Sequence, residues 1–90
     1  MFSFLSIENC TGFPVISAKS GDGVIFSDIP RGERSAAKRL CPGSVRLEIY
    51  DNFMRPVTLL WLPLPPGERA HLCIYPDAAR FTPTGKREAF

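Results

Sequence analysis

The sequence predicts an all-β domain, an antiparallel β-sandwich of about seven short strands with an immunoglobulin-like or prealbumin-like topology. Apolar and polar residues alternate with a period of two in short runs, as in strands that bury one face. Nine prolines and seven glycines among 90 residues separate these runs with turn signals. The chain is 44% hydrophobic and 22% charged, which is typical of a folded domain. We expect one domain, with the sandwich over residues 1–76 and a tail over residues 77–90 that is loosely ordered or docked on it.

The first three predicted strands lie at 2–9, 13–18 and 24–29. In the first strand the apolar face switches between Phe4 and Leu5, which indicates a bulge or an end that is buried on both faces. Pro14 places the start of the second strand at a sheet edge, because proline cannot donate to a β-ladder. The turn at Ser20–Gly23 contains two glycines that can adopt positive φ, and it joins the second and third strands in a hairpin.

The remaining predicted strands lie at 34–40, 45–50, 57–62 and 69–75. Residues 34–40 have some helix propensity, but seven residues between two turns fit a strand better. The clearest alternation places Val45, Leu47 and Ile49 on one face of their strand. The segments 30–34 and 65–69 echo each other, since each places glycine, glutamate and arginine at the start of a strand. The predicted core consists of Phe4, Ile7, Val15, Phe26, Val45, Leu47, Ile49, Leu60, Leu72 and Ile74.

The order of strands and turns from Val24 to Tyr75 resembles a known family. An apolar strand leads to Pro-Arg-Gly-Glu, a polar strand ends at Leu-Cys-Pro-Gly-Ser, and a later apolar strand leads to Leu-Pro-Pro-Gly-Glu. This order is similar to that of the bacterial domain-of-unknown-function family 4397. The resemblance implies an immunoglobulin-like or prealbumin-like sandwich, association with the cell envelope, and no enzymatic residues to transfer. The chain departs from the family at 9–14, where the usual Asn-Ala-Ser-Pro-Asp run is missing, and in being a lone unit.

The chain shows no targeting or membrane signal. Its first residues have no basic region, long apolar stretch or small-residue cleavage site, and the longest nearly charge-free run, Pro56–Gly67, is shorter than a membrane helix. We therefore expect a cytoplasmic protein without membrane insertion, envelope association being only what the family resemblance implies. The three cysteines, Cys10, Cys41 and Cys73, are widely spaced and fit reduced, buried apolar residues. Asn9-Cys10-Thr11 matches a glycosylation sequon, but such an asparagine is glycosylated only when the chain carries a secretion signal.

Two arrangements of cysteine and histidine could carry chemistry. His71 and Cys73 share one face of a predicted strand, as a cysteine–histidine pair for nucleophilic catalysis requires. With Cys10 and Cys41 they also make four soft ligands, the number that zinc takes. Structural zinc sites usually draw ligands from short knuckles, and no pair of these residues has that spacing. We therefore expect no catalytic residue, no metal site, no cofactor and no enzymatic activity.

A basic segment is the basis of an alternative function. Arg31, Arg34, Lys38 and Arg39 fall within nine residues and form a candidate anion-binding site. Aromatic residues on a sheet face could stack the bases of a single-stranded nucleic acid. The net charge is only +2, however, and lysine and arginine also protect edge strands from pairing. Weak binding of single-stranded nucleic acid or another anionic ligand is therefore the alternative function that the sequence predicts.

The most informative segment is the strand at 57–62, because it is apolar on both faces. If Leu60 fills the core, then Leu59 and Trp61 lie on the other face and need a cover. The cover could be the tail, the loop that contains Phe53 and Met54, or a second chain.

Tryptophan and methionine are enriched at protein interfaces, whereas cover by the tail would use Phe81 and Phe90. We predict an interaction surface of Phe53, Met54, Leu59 and Trp61. The predicted function is a non-enzymatic structural or protein-interaction module that self-associates as a homodimer or joins another protein.

Overall fold

In the computed structural model, two four-stranded sheets form a sandwich. The structure describes residues 2–76 and the backbone of residues 79–83. Within them the strands are β1 (Ser3–Asn9), β2 (Val15–Ser20), β3 (Ile25–Pro30), β4 (Lys38–Leu40), β5 (Gly43–Tyr50), β6 (Pro56–Leu64), β7 (Arg69–Ile74) and β8 (Ala79–Pro83). The first sheet has the order β4-β1-β7-β8 and the second the order β3-β2-β5-β6. Neighbouring strands are antiparallel except β1 and β7, which are parallel. The predicted all-β sandwich is confirmed.

The fourth strand is shorter than predicted. Residues 34–37 do not form a strand, although Arg34 makes a single bridge to Glu8 of β1. The reason is that residues 36–39 are exposed and only Leu40 is buried, so little apolar surface holds this segment to the sheet. An eighth strand forms over residues 79–83 and pairs with β7. Residues 77–78 and 84–90 lie outside the described residues, so the boundary at residue 76 stays a prediction.

One hydrophobic core lies between the two sheets. Seven predicted core residues are buried there, namely Ile7, Phe26, Val45, Leu47, Ile49, Leu72 and Ile74. The prediction for Phe4 is wrong, because Leu5 occupies the core and Phe4 lies on the outer face, where the Arg69 guanidinium is 5.2 Å from its ring centroid. Val15 and Leu60 are only half-buried, and Leu60 packs against the core.

The two echoing segments form the same kind of turn. The amide of Glu33 donates to the carbonyl of Pro30 at 3.1 Å, and the amide of Glu68 donates to the carbonyl of Pro65 at 3.3 Å. The third residue of each turn is a glycine with positive φ, 82° at Gly32 and 72° at Gly67. This combination is that of a type II turn, which favours glycine at its third position. The similarity between segments 30–34 and 65–69 therefore reflects a turn of the same type that occurs twice.

A buried asparagine joins β1 to the second sheet. Asn9 is fully buried, and its Nδ2 donates to the carbonyls of Ile29 at 3.0 Å and Phe13 at 3.3 Å. Its Oδ1 accepts from the amide of Thr11 at 3.0 Å and from the Thr11 hydroxyl at 2.6 Å. The folded chain therefore does not present this sequon as a glycosylation acceptor, because the amide nitrogen is buried and already bonded.

Candidate functional site

A cluster of polar side chains lies on the outer face of the first sheet, where β1 and β7 run side by side. The parallel register places Ser6 opposite His71 and Glu8 opposite Cys73. Side chains alternate between the faces of a strand, and Leu72 of β7 is buried in the core. These four residues therefore share the outer face, and we call them, together with Cys10, the β1–β7 cluster.

A chain of hydrogen bonds runs through His71. Its Nε2 lies 2.9 Å from Oε1 of Glu8, and its Nδ1 lies 2.7 Å from the Ser6 hydroxyl oxygen. An ionised carboxylate only accepts, so Nε2 carries the hydrogen that is donated to Glu8. In the neutral ring Nδ1 then accepts from the Ser6 hydroxyl. The two contacts fix the orientation of the imidazole. The hydrogen bond from His71 lowers the pKa of Glu8, with a further contribution from the Cys10 thiol.

Two thiols complete the cluster. The Cys10 thiol donates to Oε2 of Glu8 at 3.4 Å, and the Cys73 thiol donates to Oε1 at 3.8 Å. Burial raises the pKa of both thiols, and the neighbouring Glu8 raises it further. A nucleophilic cysteine needs a lowered pKa, so this environment disfavours a thiolate nucleophile in the unliganded protein. The Cys73 thiol also contacts Glu8 rather than His71.

The hydroxyl, imidazole and carboxylate have the order of a hydrolytic triad, but the surroundings differ from those of a hydrolase. A triad also needs donors aimed at the developing oxyanion. Ser6 lies on a strand with neighbours on both sides, and the N–H groups of a sheet lie in its plane rather than above its face. The strands that carry the cluster therefore supply no backbone oxyanion hole. The expectation of no catalysis stays a prediction.

Metal binding fits the same atoms better. Among the described residues, Glu8, His71 and Cys73 each offer a ligand atom, and these atoms all lie within 4.8 Å of one another. The four soft ligands that the sequence offered were Cys10, Cys41, Cys73 and His71, of which Cys41 is exposed in the loop between β4 and β5. Glu8 was not among them. The signal available in the sequence was the matched spacing of Glu8 with Cys10, where β1 ends, and of His71 with Cys73 on one face of β7.

Two of the four predicted anion-binding residues contact other parts of the chain. Arg31 donates to the carbonyl of Gly12 at 3.2 Å, and the Arg39 guanidinium lies 4.5 Å from the ring centroid of Phe2. Lys38 is exposed on β4. Arg34 is the member of this set that lines a groove of about 330 Å³ beside His71, which Arg69 also lines. Anion binding by these residues stays a prediction.

The predicted apolar surface lies on the second sheet. Leu59 and Trp61 project from the outer face of β6, Trp61 being 63% exposed, while Leu62 and Leu64 are buried. Val57 extends the exposed row. Cover by the tail gains no support from the described residues, because residues 79–83 pair with β7 in the first sheet. Phe90 lies outside the described residues.

The other two predicted interface residues, Phe53 and Met54, are exposed in the loop between β5 and β6. Asp51 holds this loop, because its Oδ1 accepts from the amides of Phe53 at 2.8 Å and Arg55 at 2.9 Å. Met54 adopts a φ of 62°, in the region that disfavours bulky side chains. The loop therefore presents two apolar side chains on a backbone that Asp51 stabilises.

The pH dependence of stability should report this role of Asp51. The amides of Arg55 and Phe53 and the charge of Arg55 lower the pKa of its carboxyl group. A lowered pKa in the folded state contributes stability above the unfolded-state value of about 3.9, and this contribution disappears as the pH falls through the folded-state value. We expect Asp51→Asn to reduce the free energy of unfolding at neutral pH, and the difference from wild type to shrink on acidification.

Urea unfolding of both proteins between about pH 6 and pH 3 measures this effect. Asp28→Asn is the control for the loss of one negative charge, because Asp28 is exposed and its left-handed backbone also suits asparagine. A difference between wild type and Asp51→Asn that stays constant over this range would contradict the assignment.

Comparisons of the chain with protein-family models, with curated proteins and with solved structures found no match. The resemblance to family 4397 therefore stays a prediction. The part of the chain that the structure describes contains no helix that is long and apolar enough to cross a membrane.

Proposed function

We propose that this chain is a non-enzymatic protein-interaction module that forms a homodimer through strand β6. The observation that carries the proposal is an edge strand of nine residues that has no charged side chain. Three large apolar residues, Val57, Leu59 and Trp61, project from its outer face into solvent. A long apolar edge is a template for pairing with another strand. In the second sheet, β6 is therefore the edge best suited to recruit a partner.

Two other sheet edges differ from β6 in ways that discourage pairing. Strand β4 is only three residues long and exposes Lys38 and Arg39. Strand β3 exposes Asp28, whose φ is 56°, and its register with β2 shifts at a bulge. Short length, charge and bulges are the usual protections of edge strands. Strand β6 is nine residues long and uncharged, and its register with β5 is regular from Thr58 to Leu64. The register shifts only at Val57, near the start of the strand.

The backbone of β6 favours strand addition as well. Pro63 pairs with Ser44 of β5, and proline is tolerated in a ladder only where its nitrogen faces away from the paired strand. Hydrogen-bonding direction alternates along an antiparallel strand, so Leu59 and Trp61 direct their N–H and C=O groups to the open edge. The same residues thus offer both backbone hydrogen bonds and apolar side chains.

A second copy of this chain is the partner that fits this edge. A twofold axis across β6 places the strand antiparallel to itself, and its uncharged side chains then meet without like-charge repulsion. Leu59 of one copy would pack beside Leu59 or Trp61 of the other on the outer face. The two second sheets would join into one continuous sheet, which is the β-augmentation mode of recognition.

The oligomeric state of three variants tests the proposal. We expect wild type to be a dimer by native mass spectrometry and sedimentation velocity, and Leu59→Asp and Trp61→Ala to shift it to monomer with an unchanged circular dichroism spectrum. Ile25→Asp is the matched control, because Ile25 on β3 is 52% exposed and Leu59 is 50% exposed. This control should remain dimeric. A monomeric wild type, or dimers in both β6 variants, would overturn the proposal.

A further inference from the structure

We propose that the β1–β7 cluster is a zinc site, with Glu8, His71 and Cys73 as ligands and Cys10 as the fourth. Three chemically different donors converge there: an imidazole nitrogen, a carboxylate oxygen and a thiol sulfur. Zinc accepts this mixture of nitrogen, oxygen and sulfur ligands, whereas calcium and magnesium prefer oxygen alone. The site lies on the opposite sheet from β6, so it is independent of the proposed dimer.

The separations of the donor atoms suit tetrahedral coordination. Bonds of about 2.0–2.3 Å to zinc place the ligand atoms about 3.3–3.8 Å from one another. Nε2 of His71 is 2.9 Å from Oε1 of Glu8, and Sγ of Cys73 is 3.8 Å from the same oxygen. Sγ of Cys10 is 3.4 Å from the other carboxylate oxygen. The ligand atoms of Glu8, His71 and Cys73 all lie within 4.8 Å of one another, so side-chain rotations would bring them to zinc-binding distances, and Cys10 would turn toward the ion as the fourth ligand.

The strands that carry the ligands hold them in place. Strand β1 pairs with β4 and β7, and β7 pairs with β1 and β8, so both are interior strands. The direct pairing of Glu8 with Cys73 fixes the two ligands beside each other. The side chains of His71 and Glu8 are 18% and 28% exposed. An ion could therefore reach the site from solvent and still bind in a partly dry environment.

Ser6 is placed to orient the histidine ligand. Metal-binding histidines commonly donate their second ring N–H to a neighbouring acceptor. When Nε2 binds zinc, the hydrogen moves to Nδ1, and the Ser6 oxygen 2.7 Å away accepts it. Glu8 is then released from its bond with Nε2 and can coordinate the ion. The contact between Ser6 and Nδ1 of His71 is therefore kept in the liganded site, with the hydrogen donated in the opposite direction.

Zinc titration of the reduced protein, freed of metal with a chelator, tests the proposal. We expect one zinc ion per chain by calorimetry, and a cobalt-substituted form with the thiolate charge-transfer band of a tetrahedral site. Loss of an outer partner of a metal ligand typically weakens affinity about 10–100-fold, so Ser6→Ala should fall in that range. His71→Gln and Cys73→Ser remove a ligand and should weaken zinc binding about 100-fold or more. Cys10→Ser should also lose affinity.

Cys41→Ser is the matched control, because Cys41 is the exposed cysteine that lies outside the cluster. It should bind zinc as wild type does. A second measurement needs no variant: zinc should protect Cys10 and Cys73 from alkylation and leave Cys41 reactive, as read by peptide mass mapping. No saturable zinc binding by wild type would overturn the proposal. Binding that Cys41→Ser abolishes, or that Cys73→Ser leaves intact, would do so too.

Discussion

Replacing Phe26 by alanine is expected to lower the free energy of unfolding by about 3–5 kcal/mol. Phe26 is fully buried and lies between the sheets with the core residues. Alanine there would lose the transfer free energy of the ring and leave a cavity that the two sheets can fill only in part. Domains of this size lose about 4–8 °C in Tm for each kcal/mol, so the melting temperature should fall by roughly 12–40 °C.

The neighbouring residue provides a control in the same strand. Ile25 lies next to Phe26 on the opposite face of β3 and is 52% exposed, so Ile25→Ala should change stability by less than about 1 kcal/mol. Urea unfolding followed by tryptophan fluorescence and circular dichroism measures both variants. If the two substitutions cost the same, Phe26 would not lie in the core that the structure shows.

Replacing Asn9 by alanine should cost about 3 kcal/mol or more. The substitution leaves the carbonyl of Ile29 and the amide and hydroxyl of Thr11 without their partner in a buried place. A buried polar group without a partner costs about 1–3 kcal/mol, and several are left here at once. The loss should exceed the value of the hydrogen bonds themselves, because water cannot reach all the groups that Asn9 now satisfies.

Thermal and urea unfolding of Asn9→Ala measure this loss. Asn52→Ala is the control, because Asn52 is an exposed asparagine in the loop after β5. Its replacement should change stability by less than about 0.5 kcal/mol. A cost for Asn9→Ala as small as that of Asn52→Ala would mean that the hydrogen bonds of Asn9 do not hold the sheets together.

The sequence predicted the strands well where alternation was strong. Val45, Leu47 and Ile49 needed only the period of two to be placed in the core. At the start of β1 two apolar residues are adjacent, Phe4 and Leu5, and the alternation alone does not say which one faces inward. The structure decides for Leu5, because Phe4 can cover part of its ring with the Arg69 side chain. The predicted strand at 34–40 was also too long, because it rested on the spacing of the flanking turns, and residues 36–39 have no buried apolar face.

The candidate zinc site could be predicted only in part. The spacing of His71 and Cys73 put both on one face, and this much is local information. Glu8 could not be added, because it lies 63 residues from His71 in the chain and no pattern within β1 names β7 as its neighbour. The two strands of a hairpin are joined by a short turn that can be recognised in the sequence. Two parallel neighbours have no such turn between them. The apolar row of β6 was predictable because it lies within one strand.

The parallel pairing of β1 with β7 has a consequence for the order of folding. All four strands of the second sheet come from residues 15–64, so this sheet can form while later residues are still being synthesised. Strand β1 can pair early with β4 over three residues, but its longer pairing with β7 must wait for a partner 65 residues away. Such distant contacts slow folding and leave apolar strands open to misassociation. On the ribosome, the first strand made is therefore among the last to have both of its edges paired.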